Sequence, residues 1–225
     1  MSGAVLPGIK IVRHARATRL RLRVDAQGAR LTAPVYCSQK KIQQFLEHSN
    51  AWLIETWQLQ QQKLLARDQT RPTVLQLFNL QQPLQVEYHT QKPAYIFKPD
   101  QQCVLINTVQ AEAHLKAFVI AYAKSHLPTY LQQISAETGI AFAQCNIRHP
   151  KTRWGSCSQQ YDIMLNAALV LFPVEITRYV CVHELAHTRY FDHSSRFWSE
   201  VARFDVAYLQ HRKILKTTEM PYWWY

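Results

Sequence analysis

The sequence predicts an α+β fold, with a β-rich region over residues 1–110 and a small, helix-bearing domain over residues 111–225. Three observations carry this. In RLRLRV, Arg19, Arg21 and Arg23 alternate with Leu20, Leu22 and Val24, the period of two that sorts a half-buried strand into an apolar and a wet face. From residue 111 the apolar spacing becomes helical, through Leu115, Phe118, Val119, Tyr122 and Leu131. A further helical run after Pro173 contains the spacing HExxH.

Taken in order, IKIVRH, RLRLRV and ARLTAPV read as a β-meander over residues 8–36, with a turn at Asp25–Gly28. Ser38 is placed to cap a helix through about Gln62 that carries Ile42, Phe45, Leu46, Trp52, Leu53 and Trp57. Its Gln-rich end reads as polar helix or linker. From Thr73 to Ile106, short β-branched and aromatic runs broken by Pro83, Pro93 and Pro99 indicate further strands, some at sheet edges. A domain boundary is expected near residues 107–112, where the helical pattern starts. Pro128 is expected to kink or split that helix, and Gly139 to end it. IAFAQCNIRH then reads as a strand leading into KTRWGSC. After a turn at Ser158–Gln160, YDIMLNAALVLF reads as another strand, and the HExxH helix follows.

Composition bounds the function. With 48% hydrophobic and 18% charged residues the chain buries a core and is not a disordered polymer. No run approaches the ~18–20 apolar residues that span a bilayer, so no membrane role is expected. Five cysteines without paired spacing argue against a disulfide framework, and the N-terminus shows no secretory pattern; a cytoplasmic location is expected. The net charge of +11 permits an anionic partner such as nucleic acid, with the arginine-rich strands as its surface; a solvated sheet face explains the same pattern. Oligomeric state has no signature.

The chemistry lies in VCVHELAHTRYFDHSSRFW, Val180–Trp198. His183 and His187 stand four apart, so on a helix both imidazoles share one face. Zinc–nitrogen bonds are only about 2.0–2.1 Å long, so ligands pre-spaced by one turn reach an ion with little rearrangement. Glu184 stands beside them to handle the proton of an attacking water without being a ligand, the arrangement of a metal-dependent hydrolase. A third ligand is expected from His193, just past the helix, or from Glu200, thirteen residues beyond His187. Phe197 and Trp198 are expected to pack behind the site. Tyr190, Arg178 and Tyr161 are candidates to steady an oxyanion, and Asp192 and Glu200 to hold the far ring nitrogens. Arg153–Ser156 reads either as a cleft-side edge for an extended peptide or as a turn whose Trp fills the core. Cys157 and Cys181 read as packing residues rather than ligands, and MPYWWY as an aromatic cluster packed on the protein's own surface.

KTRWGSCS (Lys151–Ser158), LNAALVLFP (Leu165–Pro173) and YVCVHELAHTRYFDHSSRFW (Tyr179–Trp198) together resemble the successive signatures of the YgjP-like metallopeptidases, a zincin-type family related to the SprT-like and WLM metallopeptidases. The paired arginine-rich strands, the strand ending in APV and the following helix with its Phe and Trp resemble that family too. The resemblance implies a small zincin-like catalytic domain behind the β-rich region, hydrolysing protein or peptide substrates with Zn2+. It maps the metal ligands to His183, His187 and His193 and the catalytic carboxylate to Glu184. The alternative it raises is a nucleic-acid-associated zincin module that uses the basic N-terminal strands. Arg189 and Phe191 stand where smaller or other side chains are expected.

Overall fold

The computed structural model describes residues 7–25, 28–66 and 69–224; residues 1–6, the middle of the expected Asp25–Gly28 turn and Tyr225 lie outside them. The chain divides into two compact units, Met1–Gln69 and Thr70–Tyr225.

In the first unit, β1 (Ile9–His14), β2 (Arg21–Asp25) and β3 (Gly28–Pro34) form a sheet in the order β1-β3-β2. This corrects the expected meander. β1 pairs with β3 in parallel, Ile9 opposite Ala29, while β2 pairs with β3 antiparallel, Arg23 opposite Arg30. The physical reason is burial: Leu31 and Ala33 are wholly buried, so the most apolar strand takes the centre and the two basic strands flank it. The Ser38 hydroxyl caps the next helix by accepting the Lys41 N–H at 3.3 Å. The single helix expected there is two, α1 (Gln39–His48) and α2 (Asn50–Ala66), separated at Ser49.

In the second unit, β4 (Val74–Leu75), β5 (Leu84–His89), β6 (Tyr95–Lys98) and β7 (Cys103–Asn107) form a sheet in the order β4-β5-β7-β6. The long helix α3 (Ala111–Thr138) follows. One apolar core runs from Leu75 to Trp224, and Val104 and Ile106 of β7 share it with Leu115 and Phe118 of α3. The boundary expected near residues 107–112 therefore falls inside this unit, because β7 and α3 bury their apolar faces together. Pro128 does not split α3, which ends at Gly139 in the left-handed conformation (φ 66°).

A second sheet, β8 (Cys145–Arg148), β9 (Gly155–Cys157) and β10 (Ile163–Asn166), has the order β8-β10-β9, with β9 at an edge. β10 is shorter than YDIMLNAALVLF suggests. The Asn166 carboxamide accepts the Ala168 N–H at 3.0 Å and turns the chain into a 3-10 segment, Ala167–Leu171. Then come α4 (Val174–Ala186), α5 (Ser195–Phe204) and α6 (Tyr208–Thr217). Met220, Trp223 and Trp224 of the terminal aromatic cluster are buried. Among the described residues, no helix is long and apolar enough to cross a membrane.

Candidate metal centre

α4 starts directly after Pro173, whose fixed φ suits a helix entrance, and the Thr177 hydroxyl anchors the first turns by donating to the Leu169 carbonyl at 2.8 Å. Val180, Cys181, Val182, Leu185 and Ala186 are almost wholly buried, so the helix is covered on most sides and its orientation is set by packing. His183 lies in its last turn, and His187 is the residue that ends it. The chain then reverses, with Arg189 and Tyr190 N–H groups both donating to the Ala186 carbonyl. That reversal aims the Tyr190 carbonyl at His187 Nδ1, 3.0 Å away. A carbonyl only accepts, so Nδ1 carries the proton and Nε2 of His187 is left with a lone pair.

His193 sits two residues before α5, on a loop tied by the Ser194 N–H donating to Asp192 Oδ1 at 3.2 Å. Its Nε2 lies 3.3 Å from Nε2 of His183. One ring nitrogen from each of His183, His187 and His193 falls within 4.8 Å of the others. Two ligands on a tetrahedral ion with bonds of about 2.0–2.1 Å are themselves about 3.3 Å apart, so the closest pair already stands at ligand spacing. Phe197, wholly buried, stacks on His187 (ring centroids 4.4 Å, 26°) and meets His183 edge-on at 4.9 Å. Trp198 flanks His193 at 5.6 Å and stacks on Tyr208 of α6 at 5.4 Å. The two aromatics thus brace the ring cluster from behind, as expected from the sequence.

Burial, and next the neighbouring His187 and His193, push His183 down to about 3; burial also lowers His187, against the pull of its bond to the Tyr190 carbonyl. Both rings are therefore neutral donors near neutral pH, the form a metal requires. Burial raises Glu184 to about 8, with the Arg153 charge opposing. Two buried atoms here have no hydrogen-bond partner, His183 Nδ1 and Glu184 Oε2. An unpaired buried donor or acceptor costs about 1–3 kcal/mol, and native chains keep such groups chiefly where a ligand, water or reaction uses them. A convergent imidazole set, with His183 and His187 neutral and a starved carboxylate beside it, fits a divalent cation and a polar reactant. The cysteines do not fit: burial raises the Cys157 thiol to about 11 and raises Cys181 as well, so neither is a ready thiolate.

Glu184 is pressed from the other side by β9. A Cβ on Gly155 would lie 2.6 Å from both Cγ and Cδ of Glu184, closer than real side chains approach. The bare backbone of Gly155 is what leaves room for the carboxylate. Trp154 packs edge-on against Phe172 at 4.9 Å, so the Arg153–Ser156 segment is both a core-filling turn and the start of an edge strand. A cavity of about 370 Å³ opens over these groups, lined by Trp154, Gly155, Tyr179, His183, Glu184 and Arg212 among others.

The other candidates are spread out. Arg178 is paired with Glu137 at 2.6 Å, and Tyr161 stacks on Phe191 at 6.0 Å. Glu200 takes the Arg189 guanidinium as its partner, and Asp192 caps the Ser194 N–H; neither holds a ring nitrogen, and Tyr190 serves His187 through its backbone instead. Arg189 is thus fixed at the periphery, also donating to the Gly139 carbonyl at 3.1 Å. Sequence reasoning missed Arg212, Tyr179 and the contact between Gly155 and Glu184. Arg212 comes from α6, well past the motif, and nothing local to it signals a site.

A family model described as "YgjP-like, metallopeptidase domain" matches residues 18–218. Comparison with curated proteins gives no match. Among solved structures, the metallopeptidase zymogen of Pyrococcus abyssi abylysin is 24% identical, covering 42% of this chain and 98% of that one at a TM-score of 0.35. The metallopeptidase zymogen of Methanocaldococcus jannaschii jannalysin is 21% identical, covering 41% and 97% at the same TM-score of 0.35. The family model thus spans most of the chain, while each of these two structures aligns with less than half of it.

Proposed function

The chain belongs to the YgjP-like metallopeptidase family, and from that premise we propose that it is a zinc-dependent peptidase, with His183, His187 and His193 as metal ligands and Glu184 as the proton-handling carboxylate of a zincin-like HExxH helix. The observation that carries the proposal is the convergence of three ring nitrogens within 4.8 Å beside a buried, partnerless carboxylate oxygen. A zinc ion bound there supplies a Lewis acid for the scissile carbonyl, lowers the pKa of a water towards ~7 and favours the ionised carboxylate. Glu184 takes the proton of the attacking water at Oε2 and passes it to the leaving amine. The His187–Tyr190 bond holds one ring in the required tautomer. β9, open on one side, offers backbone groups along which an extended peptide can lie. Purified parent and Glu184→Gln proteins are compared for zinc content and for cleavage of casein and peptide libraries. Retained zinc with turnover lost by at least 10²-fold is expected; equal turnover removes Glu184 from the reaction.

A second reading rests on the first unit. Residues 1–69 contain 11 Lys and Arg against 4 Asp and Glu, most of the chain's net charge. Arg16, Arg19, Arg21, Arg23 and Arg30 line a concavity of about 510 Å³ with His14. This favours a phosphate-rich partner such as nucleic acid. Titration of labelled DNA at increasing salt tests it: affinity that falls steeply with salt supports phosphate neutralisation, and absence of binding at low salt ends the reading.

A further inference from the structure

A second cavity, of about 520 Å³, lies beside the cleft, and Trp154 lines both. Lys116 of α3 enters it from one side, and His149, Lys151 and Arg153 from the loop ahead of β9. Its remaining lining includes Asn166, Met220 and Trp224, and no Asp or Glu among the described residues. Lys116, Lys151 and Arg153 bring three cationic side chains to one concavity whose described lining holds no carboxylate, and their mutual repulsion is a cost that an anionic ligand removes. Burial and then the Lys151 charge both press Lys116 below the ordinary lysine range.

The cavity is built rather than incidental. Asn166, buried, donates its amide to the carbonyls of Pro150 and Arg153, both at 2.9 Å, and so holds the cationic loop in shape. The Lys116 ammonium lies 5.5 Å from the centre of the Trp224 ring, which fixes it over an aromatic wall. Arg153 also stands two residues before Gly155 of β9, the position that abuts Glu184. A peptide laid on that strand therefore reaches the cationic loop within a few residues of Glu184.

We infer that the cavity formed by Lys116, Lys151, Arg153 and Trp154 is a specificity subsite that takes a carboxylate of the peptide substrate, an acidic side chain or the chain's own C-terminus. The inference deepens the peptidase reading and rests on it for the identity of the ligand. Lysine and arginine donors approach a carboxylate through charge-assisted bonds, which in a half-buried site distinguish it from the isosteric amide by about tenfold.

The test uses the full-length, zinc-loaded Glu184→Gln protein and one fluorescent peptide sequence. Glu, Gln, Lys or phosphoserine is placed at each position in turn, with free or amidated C-terminus, and binding is read by anisotropy; the parent protein is assayed for cleavage of the same set. One position is expected at which Glu binds about tenfold more tightly than Gln, or a free C-terminus more tightly than an amide. Lys151→Glu is expected to reverse the preference towards Lys at that position, which a merely structural loss cannot do. Lys116→Met, which keeps the stem over Trp224, is expected to reduce it. No acidic preference, a preference unmoved by both substitutions, or one confined to phosphoserine overturns the subsite. An acidic preference in binding with no cleavage by the parent leaves the subsite standing and ends the peptidase reading. Cleavage without any acidic preference does the reverse.

Discussion

Glycine at position 155 is the clearest single-residue requirement of the site. Its φ lies outside the left-handed region, so alanine introduces no backbone strain there, and the nearest atoms its Cβ would meet all belong to Glu184. Gly155→Ala is expected to displace the carboxylate and lower turnover about 10²-fold while zinc content stays at the parent level; turnover within twofold of the parent would show that the carboxylate has room to spare. The ligand set has its own test. His193→Ala is expected to lose most bound zinc and Glu200→Ala to keep it, because Glu200 is engaged by Arg189; metal analysis of both variants decides, and the opposite pattern transfers the ligand role to Glu200. Histidines 183 and 187 were legible in the sequence because helical spacing is local and puts i and i+4 on one face. The approach of Gly155 to Glu184 was not legible. It joins residues 29 apart in the chain through tertiary packing, and no spacing rule records it.

Among the elements, the short loop from Pro150 to Trp154 lines the cationic cavity along its whole length and the cleft at Trp154, and Asn166 holds it. Asn166→Ala removes two bonds to loop carbonyls and the one to the Ala168 N–H. Unfolding free energy is expected to fall by about 2–3 kcal/mol in denaturant titration, since these groups lose their partner away from water; a loss under about 0.5 kcal/mol would mean the loop is held by other means. The elements themselves were largely readable where a cap or terminator acts locally, as at Ser38 and Gly139. Pairing partners were not. Alternation assigns faces to a strand but not neighbours, so the parallel β1–β3 pairing could not be read from IKIVRH and ARLTAPV. Nor could the continuity of α3 through Pro128, where the wholly buried Leu127 and Leu131 pack the helix against its surroundings and offset proline's cost of about 3 kcal/mol.

For the whole molecule, the compact units divide at residues 69 and 70 and not where helical spacing begins, because β4–β7 bury their apolar face in the same core as α3 and the HExxH helix. A fragment of residues 70–225 is accordingly expected to fold cooperatively and to bind about one zinc, as read by calorimetry and metal analysis. A fragment of residues 111–225 is expected to fail, since it leaves Leu115 and Phe118 without the sheet that covers them; the opposite outcome would restore the earlier boundary. The family assignment fixes the broad class of chemistry, and the convergence of three rings beside one carboxylate supports the role proposed for each residue. The most direct measurement is anomalous diffraction at the zinc edge from crystals of the zinc-loaded parent protein. The expected result is one strong peak within about 2.0–2.3 Å of ring nitrogens of His183, His187 and His193, with Glu184 close by but unbonded. A peak bound elsewhere, or one that takes Glu200 or Glu184 in place of His193, would contradict it.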